Sequence, residues 1–193
     1  MPPFPELRTE RLVLRQFHIR DAGRVRELAS ARELAVGTFL PHPYKEGMAE
    51  RWILSLIDDY EKDRMINFAI DLAGNGLLIG SMGIVLDLTH NHGQLGYWIG
   101  LPFWNKGYCS EAAQAVLAFG FGVVGLNRIW APHFKSNPAS GRVLQKIGMQ
   151  YEGCQRQQFR RFGRYEDAEL YGIVRGDFES FRQPENGLRN PPP

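Results

Sequence analysis

Three apolar segments follow one another closely between residues 66 and 100, and they constrain the fold more than any other feature of the sequence. Their sequences are INFAIDL, LLIGSMGIVLDL and GQLGYWIG. Alternation of apolar with polar or small residues and a high β-branched content are typical of strands. The residues AGNG between the first two segments favour a tight turn. We therefore predict three consecutive strands.

Helical and further strand patterns surround these three segments. An apolar face with helical spacing is present in IRDAGRVRELAS, in MAERWILSLIDDYEKD and in the segment after SEA, and a short helix is predicted in NPASGRVLQKIG. Strand patterns are ERLVLRQF, NRIWAPHF, MQYEGCQR and AELYGIV. This order predicts an α/β (α+β) fold, with one mixed sheet covered by helices on both faces. We expect a single domain over residues 1–182 and a disordered tail over 183–193.

Composition excludes several classes of protein. The net charge of +2 is too weak to indicate a nucleic-acid or membrane partner. The longest apolar stretch, Ala115 to Leu126, is too short to span a bilayer, and the first residues lack the apolar core of a secretory signal. We expect a cytoplasmic protein. Two distant cysteines, Cys109 and Cys154, indicate neither a disulfide framework nor a metal site.

The segment LPFWNKGYCSEA places a glycine where a strand leads into a helix. The first turn of a helix has unpaired N–H groups at its positive end, so an anionic group such as a diphosphate is a natural ligand. Gly107 lets that ligand approach the backbone, and Lys106 and Ser110 add donors. The alternative is that Gly107 only permits a tight turn. The segment lacks the glycine spacing of dinucleotide-binding and Walker loops.

The segment NPASGRVLQKIGM has the features of a well-delimited short helix. Asn137 is a good N-cap, Pro138 fits the first helical position, and Gly148 fits the end. Capping is the commoner role for an asparagine at such a position.

Taken in order, GYWIGLPFWNKGYCSEA, LNRIWAPHFKSNPASGRVLQKIGMQYEG and RFGRYEDAELYGIVR resemble the GCN5-related N-acetyltransferase (GNAT) superfamily. The similarity is greatest to its ribosomal-protein-alanine acetyltransferase-like (RimJ/RimL-type) branch and runs from TERLVLRQF to YGIVRGDF. The resemblance implies six or seven mixed, mostly antiparallel strands, splayed between the fourth and fifth. It also implies coenzyme A in the cleft and transfer of an acetyl group from acetyl-CoA to a primary amine.

The resemblance also assigns the cofactor contacts. The pantetheine arm pairs with backbone at Trp98, Ile99 and Leu101. Asn137 and Ser140 match family positions near the pantetheine and its thiol. The diphosphate loop comprises Trp104, Asn105, Lys106, Gly107, Tyr108, Cys109 and Ser110. Within it, the N–H groups of Trp104, Asn105, Gly107 and Cys109 are the expected diphosphate donors.

Two departures from the family pattern affect the predicted catalytic residues. Leu144 stands where many members have a tyrosine acid, so the proton returned to the CoA thiolate comes from Ser140 or water, or is not needed. Gln94 stands where a glutamate base is common, and glutamine cannot accept the proton. The remaining candidate bases, acting through water, are His90, His92, Asp87 and Glu152, although a solvated turn residue is the commoner role for each.

Covalent catalysis by Cys109 is an alternative, because a helix N-terminus lowers a thiol pKa. No histidine partner is fixed by the sequence. The simplest scheme that needs no covalent intermediate is direct attack by the amine on acetyl-CoA in a ternary complex.

The weakly equipped site favours a peptide α-amino group, whose pKa is about 8, over a lysine side chain at about 10.4. The segment FLPHPYKEGMAERW resembles the acceptor side of the family, and Phe39, His42, Tyr44 and Trp52 are its candidate pocket residues.

Several alternatives stay open. The acceptor is a peptide N-terminus or a small amine such as a polyamine, an amino acid or an antibiotic. A non-catalytic acyl-CoA sensor on the same scaffold is a further alternative. The arginine-rich RQQFRRFGRYED could indicate RNA, but a solvated hairpin is the commoner role. Whether the protein is a homodimer is also open.

Overall fold

One eight-stranded sheet organises residues 3–182, the part of the chain that the computed structural model describes. The strands are β1 (Leu7–Arg8), β2 (Leu12–Gln16), β3 (Met65–Leu72), β4 (Leu78–Asp87), β5 (His92–Ile99), β6 (Arg128–Phe134), β7 (Gln150–Arg161) and β8 (Arg164–Val174). The helices are α1 (Ala22–Ala29), α2 (Arg32–Gly37), α3 (Met48–Glu61), α4 (Tyr108–Phe119), α5 (Pro138–Lys146) and α6 (Arg175–Arg182). The predicted tail over 183–193 lies outside the described residues.

The sheet is mixed and mostly antiparallel, as predicted. Its order is β1-β2-β3-β4-β5-β6-β8-β7, and β5–β6 is the one parallel pair among the described strands. The three consecutive strands predicted from the sequence are β3, β4 and β5, and they pair as an antiparallel meander. The count is eight rather than six or seven because β1 adds two residues, which pair with Leu14 and Val13. A strand of that length is too short to show alternation.

Helices cover both faces of the sheet, and each face has its own core. The face under α4, α5 and α6 buries Val116, Leu144 and Phe178. The opposite face, under α1, α2 and α3, buries Leu34 and Ile53. Because successive side chains of a strand point to opposite faces, the central strands β3, β4 and β5 contribute to both cores.

Helices α2 and α6 were not predicted from the sequence. They contain six and eight residues, and so short a segment gives a weak periodic signal. Their stability comes from packing, since Leu34 and Phe178 are almost fully buried. Helix α2 matters for the site because it forms one wall of the cleft described below.

Strands β5 and β6 separate soon after they meet. Only three residues of β5, from His92 to Gln94, pair with β6, at Arg128 to Trp130. From there β5 continues to Ile99 with β4 as its only strand neighbour. The chain then returns through α4 to β6, which places the start of α4 at the open end of β5. The predicted splay is thereby confirmed, between β5 and β6 once β1 is counted.

Candidate active site

A cleft of about 790 Å³ occupies the gap between β5 and β6. Its volume lies within the range of about 300–1,000 Å³ that is usual for small-molecule sites. The lining comes from α2 and the segment after it, from the open end of β5, from residues 103–110, and from the end of β6 with α5. The cleft therefore joins the two faces of the sheet through the gap between the strands.

The backbone of β5 offers unpaired groups to this cleft at alternate residues. Gly100 donates its N–H to Ile79 of β4 over 2.8 Å. Since the hydrogen-bonding direction alternates along an antiparallel strand, Trp98 also faces β4, while Tyr97 and Ile99 face the gap. The Trp98 backbone is therefore turned away from the expected pantetheine path. The carbonyl of Ile99 accepts a hydrogen bond from Nε1 of Trp104 at 2.5 Å, which leaves its N–H to face the cleft.

The loop before α4 has the backbone of an anion-binding turn. Asn105 and Gly107 have φ angles of +60° and +81°, and such left-handed residues curve neighbouring N–H groups toward one point. Among residues 3–182, no acceptor is recorded for the N–H groups of Asn105, Gly107 and Cys109. Trp104 differs from the expectation, because its N–H donates to Leu101 within the preceding 3₁₀ turn at 3.1 Å.

Arg11 and Glu111 hold this loop from outside the cleft. The Nε atom of Arg11 donates to Glu111 Oε2 at 2.7 Å, and Nη1 donates to the carbonyl of Lys106 at 3.0 Å. Burial alone would raise the pKa of Glu111, but hydrogen bonds from Thr9 and Arg11 outweigh it and lower that pKa. The carboxylate in the first turn of α4 is thus paired with Arg11, which limits its repulsion of an anion at the helix N-terminus.

The other predicted residues of this loop are divided between the cleft and its surroundings. Tyr108 and Ser110 line the cleft. Lys106 is exposed outside the lining, with its ammonium 5.8 Å from the ring centroid of Phe103. Leu101 packs against the core on the α1–α3 face. Lys106 and Leu101 both lie outside the lining. The backbone carbonyl of Leu101, an expected pantetheine contact, accepts the N–H of Trp104.

Cys109 lines the cleft as a protonated thiol. Burial raises its pKa to about 12, which is the opposite of the shift expected from a helix N-terminus alone. Desolvation of the thiolate outweighs the helix dipole here. The alternative of a cysteine nucleophile is therefore not supported at neutral pH.

Asn137 caps α5 and links the two walls of the cleft. Its Oδ1 accepts a hydrogen bond from the Ser140 N–H at 3.3 Å, which confirms the predicted capping role. Its Nδ2 donates to the carbonyl of Gly37, at the end of α2, over 2.9 Å. Ser140 lies in the first turn of α5, with its Oγ 2.7 Å from the hydroxyl of Tyr97.

Phe39 and Trp52 are the predicted acceptor residues that line the cleft. Phe39 is half exposed, and its ring lies 4.7 Å from the rings of Phe134 and Phe159. Tyr44 is instead buried in the core under α1 and α3, and His42 lies outside the lining, near Phe162. The structure therefore separates His42 and Tyr44 from the cleft.

Arg161 stabilises the wall of the cleft that contains Phe39, at the end of α2 and in the segment after it. Its Nη2 atom lies within 3.0 Å of the carbonyl oxygens of Ala35, Thr38 and Leu40. These three carbonyls come from the end of α2 and the segment after it. One arginine of the predicted hairpin thus has a structural role inside the protein.

The candidate bases are also divided. Gln94 lines the cleft, whereas His92 lies where β5 is still paired with β6, with Nε2 3.5 Å from Asp87 Oδ2. His90 and Glu152 are likewise outside the lining. His90 lies in the β4–β5 turn and His92 directly after it, at the opposite end of β5 from the diphosphate loop, and Glu152 of β7 is paired with Arg128. The structure therefore does not bring these side chains to the cleft.

Several cleft residues were missed from the sequence, namely Glu33, Asn67, Ser81, Tyr97 and His133. Ser81 donates to Oδ1 of Asn67 at 2.6 Å, which forms a polar pair across β3 and β4. Face alternation in the predicted strands could have placed Tyr97 and Trp98 on opposite sides. No sequence signal places Glu33 at the cleft, because α2 is too short to be predicted.

Residues 3–182 contain neither a cluster of metal ligands nor a membrane-spanning helix. No group of three or more histidine, cysteine or acidic side chains is arranged to hold a metal ion. No helix in the same range is both long and apolar enough to cross a membrane.

Comparison with known proteins identifies the family. The model of the acetyltransferase (GNAT) domain matches residues 11–150. The uncharacterized N-acetyltransferase YoaA of Bacillus subtilis is 34% identical over 89% of this chain and 98% of its own. The ribosomal protein uS5-alanine N-acetyltransferase of Escherichia coli is 26% identical over 91% and 94%.

A solved GNAT-family acetyltransferase from Bacillus anthracis is 28% identical, with a TM-score of 0.77 over 88% of this chain and 98% of that chain. The fold and the family resemblance are both confirmed, including the ribosomal-protein-alanine acetyltransferase-like branch. The chain belongs to the GNAT family of acetyltransferases.

Proposed function

We propose that the protein transfers the acetyl group of acetyl-CoA to the α-amine of a peptide N-terminus, by direct attack in a ternary complex. One observation carries the proposal. The unpaired edge of β5 ends at a loop whose N–H groups are gathered at the N-terminus of α4. A strand edge that suits an extended amide-bearing arm thus leads to a site that suits a diphosphate, and coenzyme A has both parts.

The residues present fit this ligand. The N–H groups of Asn105, Gly107 and Cys109, together with the Ser110 hydroxyl, would hold the diphosphate. The edge of β5 at Tyr97 and Ile99 would take the pantetheine amides, as an added strand does. Acetyl-CoA supplies an acetyl group activated as a thioester. Ser140 lines the same cleft, and its hydroxyl would be a donor beside the expected position of the thiol.

Acetylation of an α-amine does not require a strong general base from the protein. An α-amine with a pKa of about 8 is about one tenth neutral at pH 7, whereas lysine must be deprotonated at much greater cost. Gln94 cannot act as a base, and Glu33 is an exposed side chain of α2. The proton of the amine would leave through water in the open cleft.

Charge around the cleft favours a peptide over a polyamine. Glu33 is the one carboxylate among the described lining residues, against the cations Arg142 and Lys146. Several carboxylates would be expected around a bound polycation. The uS5-alanine N-acetyltransferase of Escherichia coli acts, by its name, on an alanine of a ribosomal protein. That relationship supports the same acceptor class for this chain.

Release of the CoA thiol with matched acceptors tests the proposal. The panel contains a short peptide beginning with alanine, the same peptide with a blocked N-terminus and one lysine, spermidine, and a free amino acid. We expect thiol release with the first peptide, and a mass increase of one acetyl group at its N-terminus. Turnover only with spermidine or the free amino acid would overturn the peptide assignment in favour of a small-amine enzyme.

Thermal stability with acetyl-CoA, CoA, ATP and NAD separates an enzyme from a sensor. A ligand at about 100 times its dissociation constant adds about 2.7 kcal/mol to the free energy of unfolding. We expect a rise in Tm with both CoA forms and none with ATP or NAD. A rise with CoA forms but no thiol release with any amine would replace the enzyme proposal with the non-catalytic acyl-CoA sensor. No rise with CoA would contradict the cofactor assignment itself.

A further inference from the structure

The position that carries a tyrosine acid in many GNAT proteins is in the core here. Leu144 is fully buried between α5 and the sheet, among the residues of the α4–α6 face. It does not line the cleft, whereas its neighbours Val143 and Ser140 do. The side-chain hydroxyl that α5 places at the cleft is therefore that of Ser140 and not that of a tyrosine.

A tyrosine hydroxyl reaches Ser140 from another element. Tyr97 projects from β5 on the α4 side of the sheet, and both residues line the cleft. Its hydroxyl is 2.7 Å from Ser140 Oγ and 3.3 Å from the Ser140 carbonyl oxygen. The Ser140 N–H is bonded to Asn137 in turn. The start of α5 is thus fixed to β5 on one side and capped on the other.

The direction of this hydrogen bond decides what Ser140 can do. Burial raises the pKa of Tyr97 above its usual range, an effect that the neighbouring Cys109 increases and the bond to Ser140 opposes. The phenol therefore keeps its proton at neutral pH. When that proton is donated to Ser140 Oγ, the hydrogen of Ser140 is free to point into the cleft. When the bond runs the other way, Ser140 has no proton to offer there.

We propose that Tyr97 is a positioning residue that turns the hydroxyl hydrogen of Ser140 toward the sulfur of the departing CoA. The inference rests on the proposed function. As the nitrogen–carbon bond forms and the carbon–sulfur bond breaks, the electron pair leaves on sulfur. The sulfur takes the proton of Ser140, the amine loses one proton to water, and water returns one proton to Ser140. Tyr97 keeps its own proton throughout.

Tyr97→Phe removes the hydroxyl and keeps the ring that packs against the core. We expect kcat to fall about tenfold, less than the about hundredfold loss typical of removing a proton donor outright. The dissociation constant for acetyl-CoA should stay within about twofold, because no expected CoA contact uses this hydroxyl. Tyr165→Phe is the matched control, since Tyr165 is 64% exposed on β8, and it should leave kcat unchanged.

A double-mutant cycle with Ser140→Ala separates positioning from general structural damage. If Tyr97 acts through Ser140, Tyr97→Phe should cause no further loss in the Ser140→Ala protein. An acetyl selenoester of CoA should reduce the deficit of both variants, because its more acidic leaving group needs less proton donation. In the protein without ligand, Ser140→Ala should also shift the NMR resonance of the Tyr97 ring carbon that bears the hydroxyl.

The outcomes distinguish this inference from the proposed function. If the wild-type protein releases no thiol with any amine, the proposed function and this inference both fall. If the wild type is active and Tyr97→Phe matches it, only the inference falls. Losses that multiply in the double variant, or a deficit that the selenoester leaves unchanged, would also overturn the positioning role.

Discussion

Gly107→Glu tests the diphosphate site most directly. Gly107 is exposed at the N-terminus of α4 with φ of +81°, and a Cβ built there would lie 3.3 Å from Nη2 of Arg11. Arg11 is half exposed and can shift. The new side chain therefore has room, and it adds a negative charge close to the N–H groups expected to receive the diphosphate.

Two energies have to be separated to obtain the magnitude. A side chain in the left-handed conformation costs about 1–2 kcal/mol, and this cost acts on folding whether or not ligand is present. Repulsion between the carboxylate and one phosphate charge at about 5 Å amounts to about 3 kcal/mol at an effective dielectric constant of about 20. Since about 1.4 kcal/mol is tenfold in affinity, we expect acetyl-CoA to bind at least about 100-fold more weakly.

Gly107→Gln is the matched control, because it brings the same backbone strain and nearly the same volume without the charge. Titration calorimetry with acetyl-CoA should give a much weaker affinity for the Glu variant than for the Gln variant, and salt should narrow the difference. Both variants should lose similar amounts of thermal stability without ligand. Equal affinities for acetyl-CoA in the two variants would refute the reasoning, because no diphosphate charge would then lie near this loop.

Three further perturbations follow from the contacts of the site. Arg161→Met should raise KM for the amine and leave the affinity for acetyl-CoA unchanged, because it removes the hydrogen bonds to three carbonyls of the cleft wall that carries Phe39. Arg160→Met is the control, because Arg160 is exposed. Equal KM values for the two variants would contradict the prediction. Iodoacetamide at pH 8 should label exposed Cys154 before Cys109, because burial raises the pKa of Cys109 to about 12. Peptide mass spectrometry gives the order of labelling, and faster labelling of Cys109 would refute the prediction. Because the pKa of Glu111 is lowered on folding, its carboxylate stabilises the protein at neutral pH, and this contribution is lost as pH falls through the folded pKa. Glu111→Gln should therefore make the decline of Tm below about pH 4.5 less steep than in the wild type. Equally steep declines of Tm in the two proteins would contradict this.

The sequence predicts the framework of this protein better than its chemistry. Long alternating segments such as GQLGYWIG identify β5, and Asn137 with Pro138 correctly marks the start of α5. Both features are local, so short-range sequence patterns suffice. Helix α2 could not be predicted, because six residues acquire helical structure only through packing of Leu34 in the core.

There is a physical cause for which predicted site residues line the cleft and which do not. Gly107 follows from a local signal, the start of a helix, and Ser140 from a family position on a short helix whose capped start the sequence marks. His42 and Tyr44 are candidates from the resemblance of their segment, and His92 is one from its chemistry. The position of each side chain depends on which side of a loop or strand it leaves. Cys109 shows the same limit, because burial by distant elements reverses the shift that its local helix position predicts.

The separation of β5 from β6 explains why these residues meet at one place. A parallel pair needs a crossover, and α4 provides it, so the start of α4 must lie near the end of β5 where the strands have parted. The same parting leaves the cleft-facing backbone of Tyr97 and Ile99 without a strand partner and brings the Tyr97 hydroxyl next to the first turn of α5. Closing the sheet by extending β6 pairing past Gln94 would remove the anion-binding approach, the strand edge and the Ser140 position together. The site is therefore a consequence of incomplete strand pairing, and variants that alter the loop or Ser140 should affect function far more than they affect the fold.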